Sequence, residues 1–264
     1  HNLPIAYGFE TAHGGMAQVN EMLDRNRGKI FACTDWKGFD KTIPPWLMRD
    51  VFSIIAECFD MTKVRDVDNQ VWDVDPTISW RRWKKMVDYF VETPIRTCKG
   101  ERFRITGGVP SGSCWTNLVD SIINILVSRF CAYQTTGHLP LDEIFLGDDG
   151  VMVLTGTVNL DDFAAVAEKY FGMELNVRKS YITTRQDNVH FLGYFNLWGY
   201  PFKPMDFLVA SFINPEHTRL STIDACAAAL GQLWSSFDPT YATLWYDVIQ
   251  KLAAKEGISD ESIV

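Results

Sequence analysis

The chain has 264 residues and 47% hydrophobic composition, enough apolar material for one large domain or a domain with a small appendage. Its net charge of −8 disfavours, taken whole, a partner rich in phosphate. No run of 18 apolar residues and no charged-then-apolar leader occurs, and six scattered cysteines form no C-x-x-C pair, so neither a helical membrane span, a signal peptide, a zinc site nor a disulfide framework is expected.

These features point to an intracellular protein whose cysteines are buried thiols. The chain opens on His1 rather than Met and reads as a segment of something longer.

In chain order, the first clear element is a β-rich run, KIFACTD (29–35), ending on the carboxylate of Asp35. Pro44 and Pro45 suit a helix start, and Leu47, Val51, Ile54, Ile55 and Cys58 recur at helical spacing. ISWRRWKKMVDYFVE (78–92) predicts a second amphipathic helix, and IRTCKGERFRIT (95–106) a hairpin about Lys99-Gly100-Glu101. GGVPSGS (107–113) reads as a flexible loop before a long helix from about Cys114 to Gln134. EIFLGDDGVMVL (143–154) places two strands about a Gly-Asp-Asp-Gly turn, with Asp-Gly as the hairpin dipeptide. A helix near Leu160 to Phe171, a strand near Val177 to Thr183 and a hairpin turning at Trp198-Gly199 follow. The stretch from Pro215 to Lys255 predicts two helices broken at SSFDPT. Strands interleave with helices without βαβ regularity, so the expected class is α+β, an antiparallel sheet backed by helices on one face.

Charge is segregated. From Arg81 to Arg104 eight basic residues oppose three acidic ones, whereas from Met205 to Val264 eight acidic residues oppose three basic ones. A basic surface suited to phosphates, or simply a solvated helix face, therefore sits inside an acidic chain.

Three clusters carry chemistry. Asp148 and Asp149 are adjacent at the expected hairpin tip, where good turn formers and concentrated negative charge are both adequate explanations. Asp35 closes an apolar strand and Asp40 follows with four residues between. An unpaired carboxylate at such a strand end is costly, and Mg²⁺ would remove the cost, since it takes a few carboxylates and completes its octahedron with water and substrate phosphates. Helix N-capping by Asp40 with a strand-end turn at Asp35 explains the pair as well. Finally, Ser111-Gly112 ends the flexible loop, and Thr116, Asp120 and Asn124 recur every four residues as one polar stripe on an otherwise apolar helix. If buried, that stripe needs a polar partner, for which a ribose hydroxyl with Asp40 would serve.

Asp35 with Asp40, Ser111-Gly112 with Thr116 and Asp120, and Gly147-Asp148-Asp149 stand in the order and at the separations of motifs A, B and C of viral RNA-dependent RNA polymerases. The wording DWKGFDKTIP, GVPSGSCWTNLVDSIIN and LGDDG most resembles the polymerases of partitiviruses and related double-stranded RNA viruses. FGMELNVRKS resembles motif D and FLGYFN motif E, so the resemblance runs from about Gly8 to Lys203.

The resemblance implies a right-hand polymerase palm with parts of the fingers and thumb. Residues 1–29 would lead from fingers to palm, 30–60 and 107–204 would be palm, 61–106 a fingers insertion, and 205–264 the start of a helical thumb. Asp35 and Asp148 would be the principal ligands of two Mg²⁺ ions, with Mn²⁺ as the alternative, and Asp149 an auxiliary ligand. Asp40, helped by Thr116 and Asp120, would recognise the ribose 2′-hydroxyl, with Asn124 of the same stripe counted among the substrate-binding residues. Ser111 and Gly112 would form a mobile loop beside the templating pair. Lys179 is preferred to Arg178 as the acid that protonates the leaving pyrophosphate, because a guanidinium stays protonated.

The implied reaction is in-line attack of an RNA 3′-hydroxyl on the α-phosphate of a nucleoside triphosphate. The implied partners are RNA template and product, nucleoside triphosphates and a viral capsid protein, in the virion interior and host cytoplasm. Two departures stand out. Many positive-strand relatives carry Asn where this chain has Asp120, so two acids near one ribose require a shared proton or a basic partner. The family's basic fingertip motif lies upstream of motif A, before the first residue here. The rivals are a reverse transcriptase, which would carry an aromatic gate in place of Asp40, a metal-dependent nuclease, and a non-catalytic RNA-binding fragment.

Overall fold

The computed structural model describes residues 4–219 and 221–257. Chain contacts divide it into two compact units, one of residues 1–6 and 32–181, the other of residues 7–31 and 182–264.

Helix α1 (Gly15–Arg25) leads into strand β1 (Ile30–Thr34), followed by the short α2 (Phe39–Thr42) and by α3 (Pro45–Ala56). Pro45 opens α3 where its missing N–H would have found no carbonyl. Leu47, Met48, Val51, Phe52 and Ile55 form its buried stripe. Ile54 is exposed because it sits about 100° around the helix from Ile55, and Cys58 lies beyond the helix end in solvent.

Strands β2 (Lys63–Arg65) and β3 (Val71–Asp73) pair as a hairpin exposed at every position, so no apolar alternation marked it in the sequence. Helix α4 (Pro76–Val91) starts at Asp75, whose carboxylate accepts from the Thr77 N–H at 2.8 Å. The expected hairpin is present as β4 (Pro94–Arg96) and β5 (Arg102–Arg104), and the expected long helix as α5 (Thr116–Thr136). Strands β6 (Asp142–Leu146) and β7 (Asp149–Leu154), helix α6 (Leu160–Phe171) and strand β8 (Tyr181–Thr183) follow. The strand expected from Val177 begins only at Tyr181, since 177–179 are a turn closed by the Lys179 N–H on the Asn176 carbonyl.

Two successive hairpins replace the single one expected: β9 (His190–Phe191), β10 (Tyr194–Leu197) and β11 (Tyr200–Phe202) form an antiparallel three-stranded sheet. Helices α7 (Met205–Ile213), α8 (Thr222–Trp234) and α9 (Pro239–Glu256) complete the chain, the last two broken at the expected place.

The sheet order β6-β7-β1-β8 puts β7 at the centre, and its residues Gly150 to Leu154 are all buried. The first unit's core packs Phe52 and Phe90 with Ile123, Phe145, Met152, Leu154 and Phe163. In the second unit Leu208, Ala229, Trp245 and Ile249 form a core of α7, α8 and α9. Cys33, Cys131 and Cys226 are the buried thiols expected; Cys58, Cys98 and Cys114 are exposed, since each lies in a surface turn or loop. Among the described residues no helix is long and apolar enough to cross a membrane.

Candidate active site

The β6–β7 hairpin pairs Leu146 with Asp149, leaving the two-residue loop Gly147-Asp148. Gly147 has φ +60 and Asp148 has no positive φ, the signature of a type II′ turn with glycine first. The turn is therefore Gly-Asp rather than the Asp-Gly expected. Gly150 is a strand residue with another role: a Cβ there would lie 2.5 Å from two ring carbons of Phe145, its cross-strand partner. Asp148 is consequently exposed at the tip, and Asp149 starts β7 half-buried.

Asp35, just beyond β1, is half-buried and held by the segment after α6. Its Oδ2 accepts from Asn176 Nδ2 at 2.8 Å, and its carbonyl accepts from the Asn176 N–H at 2.8 Å. The Asp35 N–H donates to Ser180 Oγ at 2.9 Å. Lys37 and Glu174 form an ion pair next to these contacts.

Asp40 lies in α2, and its carboxylate accepts from Ser111 Oγ at 3.2 Å. The loop that carries Ser111 is tied to α2 by backbone: Val109 N–H donates to the Asp40 carbonyl at 2.6 Å and Gly108 N–H to that of Ile43 at 2.9 Å. Glycine is required at 108, with φ +79 and a Cβ that would lie 2.9 Å from the Asp40 carbonyl oxygen. Gly112 has φ +90 but open space around it, so backbone freedom rather than close approach selects it. Thr116 Oγ1 donates to the Pro110 carbonyl at 2.6 Å, closing the loop onto α5 and leaving its lone pairs to accept.

The polar stripe on α5 is buried. Asn124 is fully buried, and its Nδ2 donates to the carbonyls of Gly147 at 3.1 Å and Asp149 at 3.4 Å. Its Oδ1 accepts from Trp36 Nε1 at 3.1 Å and Ser128 Oγ at 3.0 Å. Both donors and both lone pairs are thereby engaged within the protein, so Asn124 has no hydrogen bond left for a substrate. This corrects the expectation that Asn124 binds substrate.

Asp120 is 7% exposed, and its Oδ1 has no hydrogen-bond partner within the protein. Burial, together with the charges of Asp40 and Asp148, pushes its carboxyl up to about 7. The two acids implied near one ribose are thus accompanied by a third charge, and at neutral pH Asp120 is partly protonated.

Among the described residues no three His, Cys, Asp or Glu side chains are grouped so that they could hold a metal ion. Asp35 accepts from Asn176, and Asp148 is exposed at the hairpin tip. The donor chemistry nevertheless fits a hard divalent cation, all oxygen, with Asp40 and Asp148 close enough to perturb Asp120. Mg²⁺ requires only one or two protein carboxylates when phosphates and water complete its shell.

Lys179 is exposed in the turn three residues after Asn176. The eight basic residues between Arg81 and Arg104 are all exposed, on α4 and the β4–β5 hairpin, although Arg104 is paired with Glu92. Sequence reasoning missed Trp36, Ser121, Ser128, Asn176 and Ser180. Asn176 and Ser180 flank Lys179 four residues apart, and Ser121 and Ser128 interrupt an apolar helix; those polar residues in apolar surroundings were the available signal.

The fold is that of the right-hand polymerases. It matches the crystal structure of the RNA-dependent RNA polymerase of a human picobirnavirus with a TM-score of 0.72 at 18% identity, covering 93% of this chain and 46% of that one. The insertion-loop deletion mutant of the picobirnavirus enzyme matches with a TM-score of 0.68.

The chain belongs to the viral RNA-dependent RNA polymerase family, whose model matches residues 1–194. It is similar to the RNA-directed RNA polymerases of Atkinsonella hypoxylon virus (25% identical, covering 98% of this chain and 45% of the relative). White clover cryptic virus 1 supplies another such polymerase, 25% identical, with 92% of this chain and 42% of the relative covered. The chain thus spans less than half the length of these curated relatives.

Proposed function

We propose that the protein carrying this chain synthesises RNA on an RNA template, transferring nucleotidyl groups from nucleoside triphosphates to an RNA 3′-hydroxyl. What supports the reading is geometry around the three motifs: Asp40 accepts from Ser111 Oγ at 3.2 Å, and Asn124 bonds both Trp36, the neighbour of Asp35, and the Gly147 carbonyl, next to Asp148. A nuclease would not need the ribose-recognition set of Asp40, Thr116 and Asp120. A reverse transcriptase would carry an aromatic residue where Asp40 accepts from Ser111.

In this reading Asp35 and Asp148 hold divalent ions, with Asp149 auxiliary. When bound, such ions neutralise charge developing on the attacking and leaving oxygens. Asp40 accepts from the ribose 2′-hydroxyl, Asp120 shares a proton beside it, and Thr116 offers an acceptor lone pair. Ser111 and Gly112 border the templating pair, and Lys179 protonates the departing pyrophosphate. The exposed basic residues of α4 and the β4–β5 hairpin meet RNA phosphates. Residues 30–60 and 107–204 serve as palm, 1–29 as the approach to it, 61–106 as fingers and 205–264 as the beginning of a thumb. RNA and nucleoside triphosphates are the substrates, a capsid protein is the assembly partner, and the virion interior and host cytoplasm are the sites of action.

Primer extension by the full-length protein tests this. Asp148→Ala should abolish incorporation while RNA affinity stays within about threefold; incorporation surviving that change would overturn the assignment.

A further inference from the structure

We infer that Ser121 and Asn124 are positioning residues that clamp the Gly147-Asp148 turn from beneath, and that Trp36 sets the polarity of the clamp; this rests on the polymerase reading above.

Gly147 is bound through both backbone groups by one face of α5. Its N–H donates to Ser121 Oγ at 2.8 Å, and its carbonyl accepts from Asn124 Nδ2 at 3.1 Å. Residues three apart on a helix are neighbours on its surface, so the pair matches the short span of the turn. Ser121 in turn donates to the Asn117 carbonyl at 2.7 Å, which leaves its lone pairs for the Gly147 N–H.

The orientation of the Asn124 amide is fixed chemically. An indole N–H can only donate, so the atom facing Trp36 Nε1 must be the oxygen, and the NH₂ group must face the Gly147 and Asp149 carbonyls. Trp36 follows Asp35 directly and is itself buried. One asparagine therefore ties the segment bearing Asp35 to the turn bearing Asp148, and so governs the separation of one carboxylate just past β1 from another in the β6–β7 turn.

Ser121, Asn124 and Ser128 are all 0% exposed, so none of them can touch substrate. Their effect on the reaction must pass through Asp148 and Asp35. A displacement of about 1 Å at such a site can change a rate by two orders of magnitude.

The test uses full-length enzyme with an RNA primer–template, Mg²⁺ and single-nucleotide extension, comparing Asn124→Asp, Ser121→Ala and their double variant with wild type. Asn124→Asp keeps the side chain's shape but turns an oxygen toward two carbonyls; Ser121→Ala strands only the Gly147 N–H. Each should lower kcat at least tenfold and raise the half-saturating Mg²⁺ concentration at least threefold, with KM for the nucleotide and RNA affinity within threefold. The double variant should lose no more than about threefold beyond the worse single one, because both act through one turn. A folded Asn124→Asp with kcat within twofold of wild type overturns the inference, and so does a raised KM at unchanged kcat, which would signify direct substrate contact. If Asn124→Asp does not fold, Ser121→Ala decides by the same criteria. Asp148→Ala separates the two claims. If it retains incorporation the polymerase reading falls, whereas if it is inactive while Ser121→Ala and Asn124→Asp are unimpaired only the clamp falls.

Discussion

Phe145 and Gly150 face each other across the β6–β7 hairpin so closely that the glycine's missing Cβ is what admits the phenyl ring, 2.5 Å from where that carbon would stand. Phe145 is fully buried, so its ring has little room in which to move. Gly150→Ala should destabilise the protein by about 1–3 kcal/mol, the usual cost of overpacking a core. Thermal melting checks this, and adding Phe145→Leu should recover part of the loss.

Asp120 makes stability depend on pH in a defined sense. Its folded-state value of about 7 lies above the ordinary carboxylate value, so between roughly pH 4 and 7 the native state binds more protons than the unfolded one. The stabilising contribution is complete below that window and is lost as pH rises through it, by roughly 4 kcal/mol at most. Asp120→Asn should flatten this dependence, raising the melting temperature at pH 8 far more than at pH 5. Parallel pH profiles for the two proteins would contradict the assignment.

Gly108 connects backbone geometry to the sugar recognition proposed for Asp40. With φ +79 and only 2.9 Å between its would-be Cβ and the Asp40 carbonyl oxygen, alanine there should push the loop bearing Ser111 away from α2. We expect Gly108→Ala to weaken discrimination against deoxynucleotides in the same direction as Asp40→Ala, measured as the ratio of kcat/KM for the two sugars. Unchanged discrimination in both variants would remove Asp40 from that role.

Trp198 is 64% exposed and has φ +53, paired with Gly199 at φ +91, as a type I′ turn demands. A bulky side chain in this conformation costs about 1–2 kcal/mol. Trp198→Asn should therefore raise the stability of the β10–β11 hairpin by about 1 kcal/mol. Denaturant unfolding reads the change as a shifted midpoint with an unchanged slope.

Much of the site was legible because its parts are local. The α5 and α6 spans, the β4–β5 hairpin, the break between α8 and α9, and the order of Asp35, Asp40, Ser111, Asp120 and Asp148 all follow from periodicity, turn formers and motif spacing. The exposed β2–β3 hairpin escaped notice because neither strand buries a face. The second hairpin turn at Leu192-Gly193 was hidden by leucine, a residue that rarely takes the φ of +51 found there.

Asn124 shows where sequence reading stops. Spacing of four residues correctly placed it on one stripe with Thr116 and Asp120, and apolar neighbours correctly implied burial. Whether a buried amide meets a ribose or a backbone carbonyl depends on what lies within about 3 Å of it, and here the nearest groups come from residues 23 and 25 positions later in the chain. Likewise, chain order alone singled out the candidate carboxylates. Only packing decided that Asp35 is held by Asn176, that Asp148 stands exposed, and that the Asp120 carboxyl is pushed up to about 7, because hydrogen bonding, burial and charge proximity are properties of neighbours in space.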